Sequence, residues 1–231
     1  MVLLNTTLCV IVRDEKMNPA GGIADFITCS VPFVEQAVIV DTGSRDGTRE
    51  IIQCLTEKYK NLRVCDQQWR GYAHARNYAL QKAGLAYALM VDADERLTVE
   101  DFAQLNRVIQ ECHDTTFFHL EIQNIHTNGD ISEGSIWCGV DPRRLVRVRE
   151  RLQYESHGVY ESIGYGQERR YGDPVITHVT IKHFLPERDA LKAKQTGWYE
   201  SDNLWNVAPS EVPSFRKWKA HNPQRDKYCF G

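Results

Sequence analysis

Two short stretches place acids where acids could do chemistry. In VDTGSRDGT (residues 40–48) an apolar run stops on Asp41 and gives way to small polar residues and two glycines. In VDADE (91–95) another apolar run stops on Asp92, with Asp94 and Glu95 close behind it. Carboxylates this close repel one another unless something cationic joins them. Hard divalent cations take oxygen ligands and share them with substrate phosphates, so Asp92 and Asp94 fit a Mg2+ or Mn2+ ion bound together with a diphosphate. Arg76, between the two stretches in HARNYAL, adds a planar cation for a base edge or a phosphate, and Asn77 beside it can bond a loop. A plainer reading fits the same residues: Asp and Ser bond free amides in a turn after a strand, and D-x-D turns and helical arginines are common solvated features.

The elements that must position these acids alternate along the first ninety residues. TLCVIV (7–12), a segment around 20–32, and AVIVD (37–41) come first. Ile51, Ile52, Leu55 and Tyr59 then recur at helical spacing behind a Ser44 or Asp46 cap, followed by the short strand LRVC. In GYAHARNYALQKAG a shallow face of Tyr72, Ala75, Ala79 and Ala83 predicts a second helix ending at Gly84, and AYALMVDADE supplies a strand running into acid. Alternating strands and helices predict a parallel sheet, and ligands of such sheets bind at the carboxyl ends of the strands, where Asp41 and Asp92 stand. A helix capped by Thr98 follows, and then mostly strands: FFHLEIQ, RRLVRVR and VITHVTIKHF. The expected organisation is one domain, with a nucleotide-binding half over 1–96, a more antiparallel half over 97–200, and an irregular tail over 201–231 that holds Trp205, Pro209, Pro213, Trp218 and Pro223.

Composition narrows the class. The chain has 231 residues, 42% hydrophobic and 26% charged, which suits a compact domain with a buried core. A formal charge of −3 provides no overall basic field for nucleic acid or anionic lipid. The seven cysteines include no C-x-x-C pair, so they read as reduced thiols, with Cys9, Cys54, Cys65 and Cys112 as small core residues. No apolar run reaches the roughly 18 residues of a membrane span, and the start lacks the pattern of a secretion signal. A cytoplasmic protein without an integral membrane segment is the expectation. Glycine-rich dinucleotide and P-loop signatures are absent.

LCVIVRDE, VDTGSRDGT, WRGYAHARNYAL and LMVDADERLT, in this order and spacing over residues 7–98, resemble the successive signatures of family 2 inverting glycosyltransferases. RRLVRVR, GVYES and VTIKHF resemble more weakly the acceptor half of small soluble members. The resemblance implies an α/β GT-A fold and metal-dependent transfer of a sugar from a nucleotide-diphosphate donor, UDP-linked, to a hydroxyl of a glycan, lipid-linked or protein acceptor. It implies a donor site of Val12, Arg13, Glu15, Asp41, Arg76, Asp92 and Ala93. Asp41 would bond the base, Arg76 would help hold the nucleotide, and Asp92 would bond ribose or metal. Asp94 would ligate Mn2+ or Mg2+, with His183 in VTIKHF completing the shell, whereas His178 has the opposite strand parity.

Inversion in one displacement requires a general base beside the acceptor hydroxyl. Where small members often carry a His-Glu pair, this chain reads Tyr160-Glu161, so Glu161 is the candidate, with Asp141, His157 and Asp173 as competitors. Two other functions share these features. A sugar nucleotidyltransferase would need a glycine-rich loop after the first strand, where this chain reads VRDEKMNPAGG. A non-catalytic nucleotide-sugar or glycan-binding module would have no need of the DADE acids, although Tyr160 in the His position favours it.

Overall fold

The computed structural model describes residues 2–126, 128–132, 141–149, 151–157, 160–164 and 173–185. The expected tail, with its tryptophans and prolines, lies outside them, as do the side chains of His157 and Tyr160. The chain begins with strand β1 (Leu3–Val12), helix α1 (Ile23–Ser30), β2 (Val34–Asp41), α2 (Thr48–Lys58), β3 (Leu62–Asp66), α3 (Tyr72–Lys82) and β4 (Tyr87–Met90). It continues through the two-residue β5 (Glu95–Arg96), α4 (Val99–Glu111), β6 (Phe117–Ile125), β7 (Ile131–Ser132), β8 (Arg143–Arg147), β9 (Tyr154–His157), β10 (Tyr160–Ile163) and β11 (Val175–Phe184).

The main sheet runs β3-β2-β1-β4-β8-β6-β11-β5, with β7 beside β6, while β9 and β10 form a separate antiparallel pair. The first four strands are parallel, as the alternating pattern predicts. β8 runs antiparallel to both β4 and β6 and continues the sheet into the second half. Because β2 lies on one side of β1 and β4 on the other, strand order reverses beside β1. The crevice at the carboxyl ends of β1, β2 and β4 is therefore a topological switch point.

Strand alternation separates two apolar layers. Leu8 and Val10 of β1, Ala37 and Ile39 of β2, and Leu89 of β4 face one side, where they pack with Phe26 of α1, Ile52 of α2 and Phe102 of α4. Cys9, Val38, Val40, Ala88 and Met90 face the other, against Ala79 and Leu80 of α3 and Tyr154 and Ile163 of the small hairpin. Of the predicted α3 face, Ala75 and Ala79 are buried and Ala83 packs at the edge of this layer, while Arg76 and Leu80 join them in place of Tyr72, the small alanines allowing the helix close enough to bury the arginine.

Local capping succeeded where both partners are local. Thr98 and Asp101 form a reciprocal capping box at α4, as Thr98 predicts. At α2 the N-cap is instead Gly47, in the left-handed conformation at φ 99°. Ser44 accepts from the Asp14 N–H, and Asp46 bonds Thr48 and the Lys16 N–H, so both expected caps help fasten the loop after β1 to the loop after β2. Among the cysteines Cys9 is buried, Cys65 and Cys112 are half-buried, and Cys54 is exposed, correcting the expectation of four core thiols. Cys54 lies two residues, about 200° of helical rotation, from the buried Ile52.

Gly22 starts α1 at φ 90°, and a Cβ there would stand 2.3 Å from the Lys16 carbonyl oxygen. Gly22→Ala is expected to destabilise the protein by about 1–3 kcal/mol, the usual range for an imposed backbone strain. Thermal or denaturant unfolding measures this, and an unchanged midpoint would contradict the tight turn.

Candidate active site

Asp41 closes β2 in parallel register with Val12 and is 3% exposed. Its Oδ1 accepts from the N–H groups of Gly43 and Ser44, both at 2.9 Å. Among the described residues its buried Oδ2 has no hydrogen-bond partner. One oxygen thus shapes the turn, and the other remains for a ligand donor. Val12 offers its carbonyl to Thr42, and Arg13 is buried directly after it. Glu15 accepts from the Asn18 side-chain amide at 3.0 Å, and the same amide donates to the Ala93 carbonyl. Asn18 therefore ties the loop after β1 to the acidic stretch after β4.

The three acids of VDADE separate by direction. Asp92 follows the phase of Ala88 and Met90 toward α3, where Arg76 Nη2 meets its Oδ1 at 2.6 Å. Against the burial that disfavours its charge, the Arg76 and Arg144 guanidiniums hold the Asp92 carboxyl below the usual range. Glu95 turns inward, 1% exposed, where Arg144 Nη2 pairs with its Oε1 at 2.5 Å and its Oε2 accepts from the Asp92 N–H. Glu95 thus orders the stretch from beneath, and burial pushes its carboxyl above the usual range. Arg96 fastens the same turn from outside, donating to the carbonyls of Ala93 and Ala20.

Asp94 faces His183, brought in by the pairing of β11 with β5, and the Phe184 N–H bonds the Asp94 carbonyl at 3.0 Å. His183 Nε2 stands 3.6 Å from Asp94 Oδ2, and its Nδ1 stands 3.1 Å from Asn124 Oδ1. Against the burial that favours the neutral ring, Asp94 holds the His183 imidazole above its ordinary range; a cation taking the place of that proton would leave Nδ1–H to donate to Asn124 and the Nε2 lone pair facing the ion, the arrangement typical of a ligating histidine. Two ligands each about 2.1 Å from one cation, roughly 90–120° apart, stand about 3.0–3.6 Å from each other, so this pair fits one divalent ion. Among the described residues no three His, Cys, Asp or Glu side chains form a metal-holding group. Mg2+-type sites commonly combine one or two protein groups with substrate phosphates and water.

Glu161 reaches the same cluster from β10. Its Oε1 lies 3.3 Å from Arg76 Nε, with 18% of the side chain exposed. Burial raises its carboxyl above the usual range, while Arg76 acts in the opposite direction. Arg76 therefore bridges Asp92 and Glu161, and among the described residues its buried Nη1 has no hydrogen-bond partner. The competitors for the base separate clearly. Asp141 forms a two-pronged pair with Arg143 and accepts from the Ile163 N–H, whereas Asp173 is exposed before β11. His157 falls outside the described side chains.

Asn18, Arg96 and Arg144 were missed as site residues. A sequence signal existed for Arg144: in RRLVRVR it shares the strand phase of buried Val146, an inward position for a charge.

A family model described as Glycosyl transferase family 2 matches residues 34–192, more than half the chain. The chain belongs to this family. This family 2 member is 39% identical over 93 residues to the lipopolysaccharide core biosynthesis glycosyltransferase LpsC of Rhizobium meliloti (strain 1021), covering 35% of the chain and 34% of LpsC. It is 32% identical over 79 residues to the uncharacterized glycosyltransferase YibD of Escherichia coli (strain K12), covering 32% of the chain and 23% of YibD. The matched segments thus span about a third or less of these relatives. Among solved structures, S. aureus TarS 1-349 in complex with UDP-GlcNAc superposes with a TM-score of 0.62 at 16% identity, covering 94% of this chain and 65% of that one. The mannosyltransferase PcManGT from Pyrobaculum calidifontis, in complex with GDP-Man and Mn2+, gives 0.60 at 18% identity, covering 97% and 72%. The family 2 member therefore has the GT-A fold expected of it. Among its described residues no helix is long and apolar enough to cross a membrane.

Proposed function

We propose that this chain is an inverting glycosyltransferase that moves a sugar from a nucleotide-diphosphate donor, UDP-linked, to an acceptor hydroxyl with the help of Mn2+ or Mg2+. The observation that carries this reading is the convergence, at the switch point of the sheet, of Asp41, the Asp94–His183 pair and the Asp92–Arg76–Glu161 chain. Donor complexes of TarS and PcManGT, and Mn2+ in the latter, support it by likeness of fold.

Each residue then has a stated task. Asp41 Oδ2 accepts from the base, and the loop after β1, with Arg13 and Glu15, flanks it. Asp92 meets the ribose, and Arg76 Nη1 offers a donor to the nucleotide. Asp94 and His183 would hold the divalent ion, which would offset the charge growing on the departing diphosphate. Glu161 takes the proton from the acceptor hydroxyl as its oxygen bonds the anomeric carbon and the bond to the diphosphate oxygen breaks, inverting that carbon.

The test is turnover of a panel of UDP- and GDP-sugars by purified protein, with and without Mn2+ or Mg2+, over a panel of acceptors, with product anomers read by NMR. Metal-dependent transfer with inversion is expected. Donor binding without turnover would point to a non-catalytic module instead. Asp41→Ala is expected to weaken free nucleotide and nucleotide sugar alike, by about 1–3 kcal/mol for a lost hydrogen-bonded charge. Titration calorimetry measures it, and unchanged nucleotide affinity would remove Asp41 from the base site.

A further inference from the structure

The candidate base does not stand on the main sheet. Glu161 belongs to the β9–β10 pair, a two-stranded unit of a kind with little stability of its own, so something must hold it at a fixed distance from Arg76. One rung of the hairpin is gripped from outside through its backbone. Tyr154 and Ile163 face each other in the antiparallel register. The Asn77 side-chain amide donates to the Tyr154 carbonyl at 2.9 Å, and the Tyr154 N–H donates back to Asn77 Oδ1 at 2.6 Å. Across the hairpin the Ile163 N–H donates to Asp141 Oδ2 at 2.8 Å. These outward bonds match a non-hydrogen-bonded rung, whose N–H and C=O groups point away from the partner strand.

Geometry links this grip to the acid. Glu161 and Ile163 are two residues apart on β10 and share a face. Ile163 and Tyr154 enter the apolar layer under α3, so the rung is the root of the hairpin and Glu161 extends from it toward Arg76. Asn77 and Arg76 are neighbours on α3, one fixing the hairpin backbone and the other meeting its carboxylate. A primary amide offers one N–H and one C=O in the same plane, as a peptide group does. Aspartate at this place lacks the donor, and glutamine is one methylene too long.

We infer that Asn77 is a positioning residue for Glu161, its paired bonds to the Tyr154 backbone setting the β10 carboxylate against Arg76. This rests on the reading of Glu161 as base for its kinetic consequence, but not for its structural one.

The experiment compares Asn77→Ala, Asn77→Asp and Glu161→Gln with the parent, using the full chain, with thermal midpoints as the check on folding. Amide exchange at Tyr154 reports the grip, and carbon-13 titration of the Glu161 carboxyl reports where that carboxyl sits. Turnover of the UDP- and GDP-sugar panel with Mn2+, set against nucleotide affinity, reports the consequence. In Asn77→Ala, Tyr154 exchange is expected to accelerate and the Glu161 midpoint to fall toward that of a solvated carboxylate. Turnover should drop by about 10–10²-fold at unchanged nucleotide affinity, the loss expected of a misplaced group. Asn77→Asp keeps the acceptor for the Tyr154 N–H and should fall between. Should the Glu161 midpoint stay at its parental value in Asn77→Ala, Asn77 does not position this carboxyl and the inference is overturned. Glu161→Gln at the parental rate would defeat the base reading alone, and the titration would still decide whether Asn77 positions Glu161.

Discussion

Asp94→Ala is expected to lower metal-dependent donor turnover by about 10²–10³-fold or more, the cost of removing one electrostatic contact to developing charge. The protein should stay folded, because the Asp94 side chain is partly exposed and, among the described residues, is paired with His183 at the edge of the network. The buried Glu95–Arg144 pair and the carbonyl bond from Phe184 persist in the variant. Loss should fall on kcat as well as on donor binding, since an ion held by fewer ligands neither grips the diphosphate nor offsets the charge it gains. Added Mn2+ should recover part of the binding and little of the rate. Full activity in Asp94→Ala would remove the metal site from this strand end.

Glu161→Gln is expected to reduce transfer by about 10²–10⁴-fold, the range that a positioned general base supplies, with donor affinity retained. The substitution keeps the shape of the side chain and removes its basic oxygen. Parental transfer in this variant, together with a dead Asp141 or Asp173 variant, would place the base elsewhere.

A pH profile adds an independent check. Among the described residues, Arg76 on α3, Asp92 after β4, Arg144 on β8 and Tyr154 on β9 act on Glu161. Burial dominates and raises the carboxyl above the ordinary range. A base acts only when ionised, so kcat/KM should fall as pH drops through this raised value, beginning at a higher pH than a solvated glutamate would allow. An acid limb at the pH of an ordinary carboxylate would show that the group responsible is not the buried Glu161.

The features that sequence alone revealed share a physical property: their partners are near in the chain. Asp41 and Asp92 could be located at strand ends because strand and turn signals are local, and the parallel order of β1 to β4 followed from alternating elements. Thr98 could be read as a cap because Asp101 is three residues away. At α2 the N-cap position is Gly47, while Asp46 accepts from the N–H of Thr48, the first helical residue, and both Ser44 and Asp46 also reach partners about thirty residues distant, in the loop after β1.

What tertiary structure decided was direction and long-range pairing. The sequence displayed three neighbouring acids, and only the fold sent Asp92 to Arg76, Asp94 to His183 and Glu95 down to Arg144, forty-nine residues away. Residue types along a strand state which groups alternate, but the charge that meets each group comes from elements the pattern does not connect. The same holds for Arg76 and Asn77: their sequence shows a cation and an amide on one helix, and folding the hairpin 77 residues later against that helix turns them into a contact for Glu161 and a grip on the Tyr154 backbone. Chemistry was therefore written in the residues at the strand ends, while its geometry came from packing that brings distant charges into one low-dielectric crevice, where a buried ionised group must find its counter-charge.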